Sequence, residues 1–171
     1  MNKNIEPCAE LMIKKELTLA FAESATAGRL SADFSLAESA GKFLKGGIVC
    51  YDACLKEDIL QVPKHLIEQY TPESAEVTEA IARGLSEVID SDISIGVTGL
   101  TCPGGSETAE KPVGTMFICG IRGEEVIIRD SVVFHGSPEE IVVQAVSHTA
   151  NLLRLYLLKN PTIPCTKHGN G

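Results

Sequence analysis

The stretch LTLAFAESATAGRLSADFSLA, residues 17–37, carries the pattern that decides the fold class. Its first part is an apolar run with the length of a short buried strand, and this run stops at Glu23 and Ser24. Small and polar residues follow, and apolar residues then recur at helical spacing. The stretch therefore predicts a strand, a loop and a helix in that order.

The same alternation continues along the chain after a first amphipathic helix that ends before Thr18. Further apolar strand patterns lie at 46–52, 92–99, 115–121 and 125–134, and helical patterns lie at 52–60, 63–70, 71–89 and 137–159. The last two strands are separated only by RGEE, which is short enough for a hairpin. These elements predict the α/β class, as a three-layer α/β/α sandwich on a mixed, mainly parallel sheet of about five to six strands.

The length of 171 residues and the 44% content of hydrophobic residues suit one domain with a full core. We assign residues 1–160 to this single domain. The remaining residues, 161–171, have no apolar periodicity, and we expect them to form a flexible C-terminal tail.

The formal net charge of -8 argues against nucleic acid as a partner, because the field of the protein repels phosphate backbones and no Lys/Arg cluster reverses it locally. The N-terminal segment has no uninterrupted apolar region, and no run of roughly 18 apolar residues occurs. We therefore expect a soluble, cytoplasmic protein that binds a small molecule and no membrane. We also expect a homo-oligomer, with a dimer as the simplest form.

The sequence contains six cysteines, of which only Cys50 and Cys54 are close together. No second pair completes a four-ligand metal site, so we predict no metal centre. Reduced thiols are the expected state in a cytosolic protein.

Ligands of α/β sandwiches bind beyond the strand ends, where loops and helix N-termini meet. The loops after Ser24, Tyr51 and Gly99 are therefore the candidate walls of a binding site. Lys56 follows Tyr51 by five positions, one turn inside a helix for which Asp52 is a plausible N-cap. A Tyr and a Lys placed in this way are typical of the general-base group of a hydrolase. The alternative is that Lys56 is a solvated residue on the surface of the helix.

Four motifs make a resemblance specific. They are AESATAG at 22–28, GGIVCYDACLK at 46–56, GVTGLTCPGGS at 96–106 with EKPVGT at 110–115, and FHGSPEEIVVQAV at 134–146. In this order and spacing, residues 5–158 resemble the CinA C-terminal domain family. The resemblance implies the activity of the nicotinamide-nucleotide amidases in that family, which convert nicotinamide mononucleotide to nicotinate mononucleotide and ammonia without a cofactor or metal.

The resemblance also implies a serine nucleophile, a lysine base and an assisting tyrosine, and Lys56 and Tyr51 match the last two. A lysine that is partly desolvated near a helix N-terminus can have its pKa lowered enough to take a proton from a hydroxyl. Counting back from Tyr51 without gaps places Gly41 at the position expected for the nucleophile. Ser39 lies two residues away and is the first candidate to replace it, provided that the loop shifts locally.

Two other hydroxyls, those of Ser24 and Thr26, match family positions at the mouth of the first strand-loop-helix unit. Either could line the same pocket and attack the substrate, and the alternative is ordinary capping of the following helix, which capping preferences favour. Gly46, which opens the second motif, is assigned to substrate binding on the resemblance alone.

The third and fourth motifs supply the remaining binding candidates. Gly104, Gly105 and Ser106 form a turn of the kind that points N–H groups at a phosphate or an oxyanion, although turns also need glycine for positive φ. Gln144 is retained from the fourth motif and is assigned to substrate binding.

Basic residues of the family pattern are absent from the fourth motif. Pro138, Val142 and Val143 stand where the family has residues suited to a nucleotide phosphate. His135 and His148 are the substitutes to consider, of which His135, at a strand end, is the better placed.

Three functional hypotheses follow. The first is an amidohydrolase that retains Lys56 and Tyr51. The second is an inactive family member that acts as a ligand-binding or interaction domain, because Gly41 occupies the expected nucleophile position. The third is an enzyme that uses the thiol of Cys54 or Cys102, the latter in the glycine-rich loop where N–H groups lower a thiol pKa.

Overall fold

The computed structural model describes residues 3–160. Within them the chain forms, in order, α1 (Ile5–Lys14), β1 (Leu19–Glu23), α2 (Arg29–Ser35), a 3-10 turn (Ala40–Lys42), β2 (Leu44–Val49), α3 (Ala53–Asp58), α4 (Lys64–Tyr70), α5 (Ala75–Val88), β3 (Ile93–Gly99), β4 (Thr115–Arg122), β5 (Glu125–Val133) and α6 (Pro138–Lys159). The predicted tail, 161–171, lies outside the described residues.

The five strands form one mixed sheet in the order β2-β1-β3-β4-β5. β1 is parallel to both of its neighbours, β2 and β3, whereas β4 is antiparallel to both β3 and β5. Four strands therefore point in one direction and β4 points in the other. The predicted hairpin is confirmed as β4 and β5, and the mixed sheet with helices on both faces confirms the predicted sandwich.

The core lies in two main layers, one on each face of the sheet. On one face, α1, α2 and α6 bury residues such as Met12, Phe34 and Leu153 against the strands. On the other face, α5 contributes Ile81 and Leu85, and the chain around α3 and α4 completes that layer. All five residues of β1 are buried, as expected for a strand covered on both faces.

α6 has the length and apolar composition that a membrane-spanning helix requires, the one such helix within residues 3–160. Its buried residues, among them Ile141, Val146 and Leu157, pack into the core instead. Ser137 and Glu140 form the predicted capping box at its start. Core packing therefore accounts for the apolar composition of α6.

Glu23, the last residue of β1, is completely buried and organises the turn that follows. Its carboxylate accepts hydrogen bonds from the Thr26 hydroxyl (2.8 Å), from the backbone N–H groups of Gly28 (3.0 Å), Leu30 (2.9 Å) and Ser31 (2.8 Å), and from the Ser31 hydroxyl (2.7 Å). α2 has no side-chain cap at Gly28, which adopts φ 94°. Glu23 therefore takes the place of an N-cap, and its negative charge also suits a helix N-terminus.

The arrangement around Glu23 predicts a specific loss of stability. Glu23→Gln replaces one acceptor oxygen by an NH₂ group that faces N–H and O–H donors, so buried donors lose their partner. We expect the free energy of unfolding, measured by urea denaturation, to fall by about 2–4 kcal/mol. Glu10→Gln, at an exposed position of α1, removes the same charge and should have little effect. Equal effects of the two substitutions would contradict this role of Glu23.

Candidate active site

A cleft opens where β1, β2 and β3 end. Because these three strands are parallel, their C-terminal ends lie at the same edge of the sheet. It is lined by Ser24, Ala25, Tyr51, Glu73, Gly99, Leu100, Thr101, Cys102, Pro103, Gly104 and Gly105. The loops after Ser24, Tyr51 and Gly99 thus meet at one place. Its volume of about 230 Å³ lies below the roughly 300–1,000 Å³ of sites for drug-sized ligands, so we expect it to hold the reacting end of a substrate.

Lys56 lies beneath this cleft with no solvent-exposed surface. Its Nζ lies 3.1 Å from the Oγ of Ser24, 2.9 Å from the carbonyl oxygen of Cys50 and 3.3 Å from the carbonyl oxygen of Tyr51. The two carbonyls belong to the turn between β2 and α3, whose first helical turn is capped by the side chain of Asp52. The turn therefore holds the amine, and the amine lies directly beside Ser24.

Ser24 is fixed by the sheet. Its N–H donates to the carbonyl oxygen of Val97 at 2.9 Å, which extends the pairing of β1 with β3 by one residue. Its side chain is almost completely buried yet lines the cleft. The Ser24 hydroxyl therefore stands between Lys56 and the space open to a ligand.

The three contacts suit either protonation state of the lysine. An ammonium donates to all three oxygens. A neutral amine keeps two N–H donors for the carbonyls of Cys50 and Tyr51 and has one lone pair, which can accept the O–H of Ser24. In that state the amine can take the Ser24 proton as the hydroxyl attacks, which is the chemistry of an activated serine nucleophile.

The environment lowers the pKa of Lys56 below its ordinary value of 10.5. The main cause is burial, which disfavours the charged amine, and the negative charges of groups such as Glu73 and Asp52 oppose the shift. A lowered pKa enlarges the neutral fraction of Lys56 that can act as a base.

Tyr51 contributes through two different parts. Its backbone carbonyl helps to hold Lys56, while its ring lines the cleft with 61% of its surface exposed. The ring is therefore available to a bound substrate at the mouth of the cleft.

Ser39 and Gly41, by contrast, lie at the opposite edge of the sheet. Both precede β2, in and next to the 3-10 turn, whereas Lys56 follows β2. A six-residue strand spans roughly 20 Å, much further than a lysine side chain reaches. The structure therefore does not bring Ser39 to Lys56, and a glycine at position 41 does not remove a group from the cleft. The count back from Tyr51 to Gly41 therefore crosses the whole length of β2.

Thr26 and Gly46 also lie outside the cleft lining. The Thr26 hydroxyl donates to buried Glu23 and accepts no capping hydrogen bond from the N-terminus of α2. Gly46 lies within β2, where the pairing with β1 shifts by one residue and its φ of 129° favours glycine. These residues support the scaffold, and capping of α2 by Ser24 or Thr26 is not what the structure shows.

Gly104 and Gly105 line the cleft, but their loop already carries a carboxylate. The Gly104 N–H donates to Oε1 of Glu107 at 2.8 Å, and hydrogen bonds from the backbone of Gly104, Glu107 and Gly105 lower the pKa of Glu107. The N–H group of Gly104 is thus already engaged by a carboxylate of its own loop. An incoming anion would have to displace Glu107 from the Gly104 N–H.

Ser106 and Lys111 tie this loop to the segment between α4 and α5. The Lys111 Nζ donates to the hydroxyls of Thr71 (2.7 Å) and Ser106 (2.7 Å) and to the carbonyl oxygen of Glu73 (2.9 Å). The Ser106 hydroxyl donates to the carboxylate of Glu73 at 2.5 Å. Ser106 therefore positions a wall of the cleft rather than lining it.

Residues of the fourth motif are engaged elsewhere. The Gln144 side chain donates to the carbonyl oxygens of His135 and Glu140. His148 contacts the carboxylate of Asp130 at 2.6 Å. Gln144, His135 and His148 are all absent from the cleft lining.

The thiols divide by position. Cys102 is exposed on the cleft wall, and Cys54 is exposed at the start of α3, where the Asp52 carboxylate raises the thiol pKa. Cys8 and Cys119 are buried, and burial raises their pKa values to about 12 and about 11. All cysteines within residues 3–160 are free, and no cluster of three or more His, Cys, Asp or Glu side chains there could hold a metal.

Glu73 lines the cleft but was not among the residues that the sequence indicated. It lies between α4 and α5, immediately before Ser74, the N-cap of α5, and its side chain lines the cleft. Nothing in the local sequence distinguishes it from a solvated charge, because its position depends on contacts with residues 106 and 111.

Comparison with known proteins decides the family. A family model described as the CinA C-terminal domain matches residues 2–157. The chain belongs to the CinA C-terminal domain family. It is 36% identical over 153 residues to a CinA-like protein of Desulfotalea psychrophila, covering 88% of this chain but only 36% of that protein.

Solved structures of CinA superfamily proteins share the fold. One from Escherichia coli superposes with a TM-score of 0.82 at 29% identity and covers 92% of this chain and 89% of its own. One from Klebsiella pneumoniae gives a TM-score of 0.87 at 24% identity and covers 92% and 98% of the two chains. The chain thus covers most of the length of both solved structures and little more than a third of the longer relative.

The burial of Lys56 predicts a pH dependence of stability. Its pKa is lower in the folded than in the unfolded state, so the unfolded chain binds more protons between the lowered pKa and 10.5. In that window the unfolding free energy of the natural protein should rise with pH relative to that of Lys56→Met. Urea denaturation at several pH values measures the difference. Lys45→Met, at an exposed position of β2, should show no such trend, and a flat difference for Lys56→Met would contradict the burial of a titrating amine.

Proposed function

We propose that this protein is an amidohydrolase of the nicotinamide-nucleotide amidase type, with Ser24 as nucleophile and Lys56 as base. The observation that carries the proposal is the 3.1 Å contact between two buried side chains, Lys56 Nζ and Ser24 Oγ, at the floor of a cleft. Both residues follow neighbouring parallel strands, so the sheet itself fixes their approach. Membership of the CinA C-terminal domain family supports the choice of substrate.

The contacts suggest how the reaction proceeds. Neutral Lys56 takes the hydroxyl proton of Ser24 while Oγ forms a bond to the amide carbon. The resulting ammonium gives that proton to the leaving nitrogen as the C–N bond breaks, and ammonia departs. Water then attacks the Ser24 ester and gives a proton to Lys56, and Lys56 returns this proton to Ser24 Oγ as the C–Oγ bond breaks. The acid is released and the serine hydroxyl is regenerated.

Other residues of the cleft have supporting roles in this proposal. The exposed ring of Tyr51 packs against the substrate, and the loop that includes Gly104 and Gly105 approaches its anionic part. The Gly104 N–H stabilises that negative charge only after the carboxylate of Glu107 has left it.

A binding domain without catalysis is the second candidate. The residues at positions 138, 142 and 143 favour it. The resemblance implies basic, phosphate-binding residues at these positions, and this chain has Pro138, Val142 and Val143 instead. Weak substrate binding, rather than loss of the nucleophile, would then be the cause of inactivity, because Ser24 and Lys56 are both in place.

Substitution of each serine separates the possible nucleophiles. Ser24→Ala and Lys56→Ala should each lower the kcat for ammonia release from nicotinamide mononucleotide by roughly 10³-fold or more, because the two groups act as a unit. Ser39→Ala should leave the rate unchanged, since Ser39 lies at the other edge of the sheet. Full activity of Ser24→Ala, or its loss in Ser39→Ala, would overturn this assignment. If the natural protein releases no ammonia while it still binds the nucleotide, the second candidate is correct.

The pH profile of the reaction tests the base. Only the neutral amine accepts a proton, so kcat/KM should rise with pH through an apparent pKa below 10.5. Lys56→Arg keeps a charged group that does not lose its proton, and it should be inactive at every pH. A rate that does not change with pH in the natural protein would exclude Lys56 as the titrating base.

A further inference from the structure

Among the described residues, 3–160, Glu73 is the one carboxylate in the lining of the cleft. The segment between α4 and α5 carries this residue, and three contacts fix it there. Its carboxylate accepts from the Ser106 hydroxyl at 2.5 Å, and its backbone carbonyl accepts from Lys111 Nζ at 2.9 Å and from the Thr71 hydroxyl at 3.4 Å. Glu73 is therefore held in place by the loop that faces Ser24, and it is only partly exposed.

The surrounding cations do not cancel this charge by direct contact. Lys111 directs its ammonium at two hydroxyls and at the main-chain carbonyl of Glu73, not at its carboxylate. Lys56 lies below Ser24, where it donates to Ser24 and to the carbonyls of Cys50 and Tyr51. Neither lysine therefore pairs directly with the Glu73 carboxylate.

The reaction proposed above changes the charge of the ligand beside this carboxylate. An amide is neutral at the reacting carbon, whereas the acid formed from it is an anion. A charged Lys56 attracts that anion and would retain it against Ser24. Glu73 repels it from within the same cleft, and a like charge inside a partly dehydrated site acts more strongly than one in water.

We propose that Glu73 is a specificity-determining residue that makes the cleft bind an amide in preference to the corresponding carboxylate, and so promotes release of the acid product. This inference rests on the proposed function, since it takes the reacting carbon to lie at Ser24. It concerns binding and product release rather than the chemical steps at Ser24.

Binding of a matched pair of ligands tests the inference. The probes are nicotinamide mononucleotide and nicotinate mononucleotide, which differ only in the amide or carboxylate group. Dissociation constants are measured by calorimetry at neutral pH in a Ser24→Ala background, where the amide is not consumed. Adding Glu73→Gln should tighten binding of the acid about tenfold and change binding of the amide by less than about twofold.

The glutamine retains an oxygen that accepts from Ser106, and Lys111 contacts only the main chain of residue 73, so the wall of the cleft should keep its shape. Glu76→Gln is the matched control, because Glu76 is exposed in the first turn of α5 and its substitution changes the net charge equally. Neither dissociation constant should change in that variant. An unchanged ratio of the two constants in Glu73→Gln, or an equal change in Glu76→Gln, would overturn the inference.

The two proposals fail in different ways. Ammonia release by the natural protein, together with an unchanged acid-to-amide ratio in Glu73→Gln, retains the hydrolase and rejects the role of Glu73. A changed ratio without ammonia release retains the preference of the Glu73 cleft for an amide over a carboxylate, and rejects both the hydrolase and a role of Glu73 in product release. If neither nucleotide binds, both the proposed substrate and the role of Glu73 are rejected. With Ser24 present, stronger product inhibition of ammonia release by nicotinate mononucleotide in Glu73→Gln would support the inference independently.

Discussion

The burial of the Lys56 amine beneath the Ser24 hydroxyl is the constraint on which the rest of the site depends. The amine requires hydrogen-bond acceptors, and the carbonyls of Cys50 and Tyr51 supply two of them at the end of β2. The third is the hydroxyl at the end of β1. β1 and β2 are parallel neighbours, so these groups lie at one edge of the sheet. The geometry of the site therefore depends on the strand order.

Two buried ionisable side chains lie at this edge, and they differ in the number and type of their hydrogen-bond partners. Glu23 is surrounded by five donors, which offset the cost of removing its charge from water. Lys56 has three acceptors, none of which is a carboxylate, and burial therefore favours its neutral form. Glu23 stabilises the turn that presents Ser24. Burial lowers the pKa of Lys56, which enlarges the neutral fraction of the amine at some cost to stability.

Much of the fold was accessible from the sequence because periodicity and turn residues report local structure directly. The apolar run of β1, the hairpin of β4 and β5 and the capping box of α6 were all read from patterns a few residues long. The same reasoning could have excluded Ser39, since a strand pattern separates it from Lys56. The count from Tyr51 back to Gly41 took no account of the length of β2, which separates Ser39 and Gly41 from Lys56.

The cleft was only partly predictable because its walls are set by contacts between distant segments. The loops after Ser24 and Tyr51 could be placed together from the expected ends of parallel strands. Glu73 could not, since its position depends on Ser106 and Lys111, more than thirty residues further along the chain. In the sequence, Glu23 only marks the end of the first strand. The donors that surround its carboxylate are visible only in the tertiary structure.

The most direct measurement is mass spectrometry of the protein after rapid acid quenching of its reaction with nicotinamide mononucleotide. Acid traps an ester if one has formed, and proteolysis locates the modified peptide. We expect an acyl group on Ser24. An acyl group on Ser39, Cys54 or Cys102 instead would contradict it, because the chemistry would then not depend on the contact between Ser24 and the buried amine of Lys56.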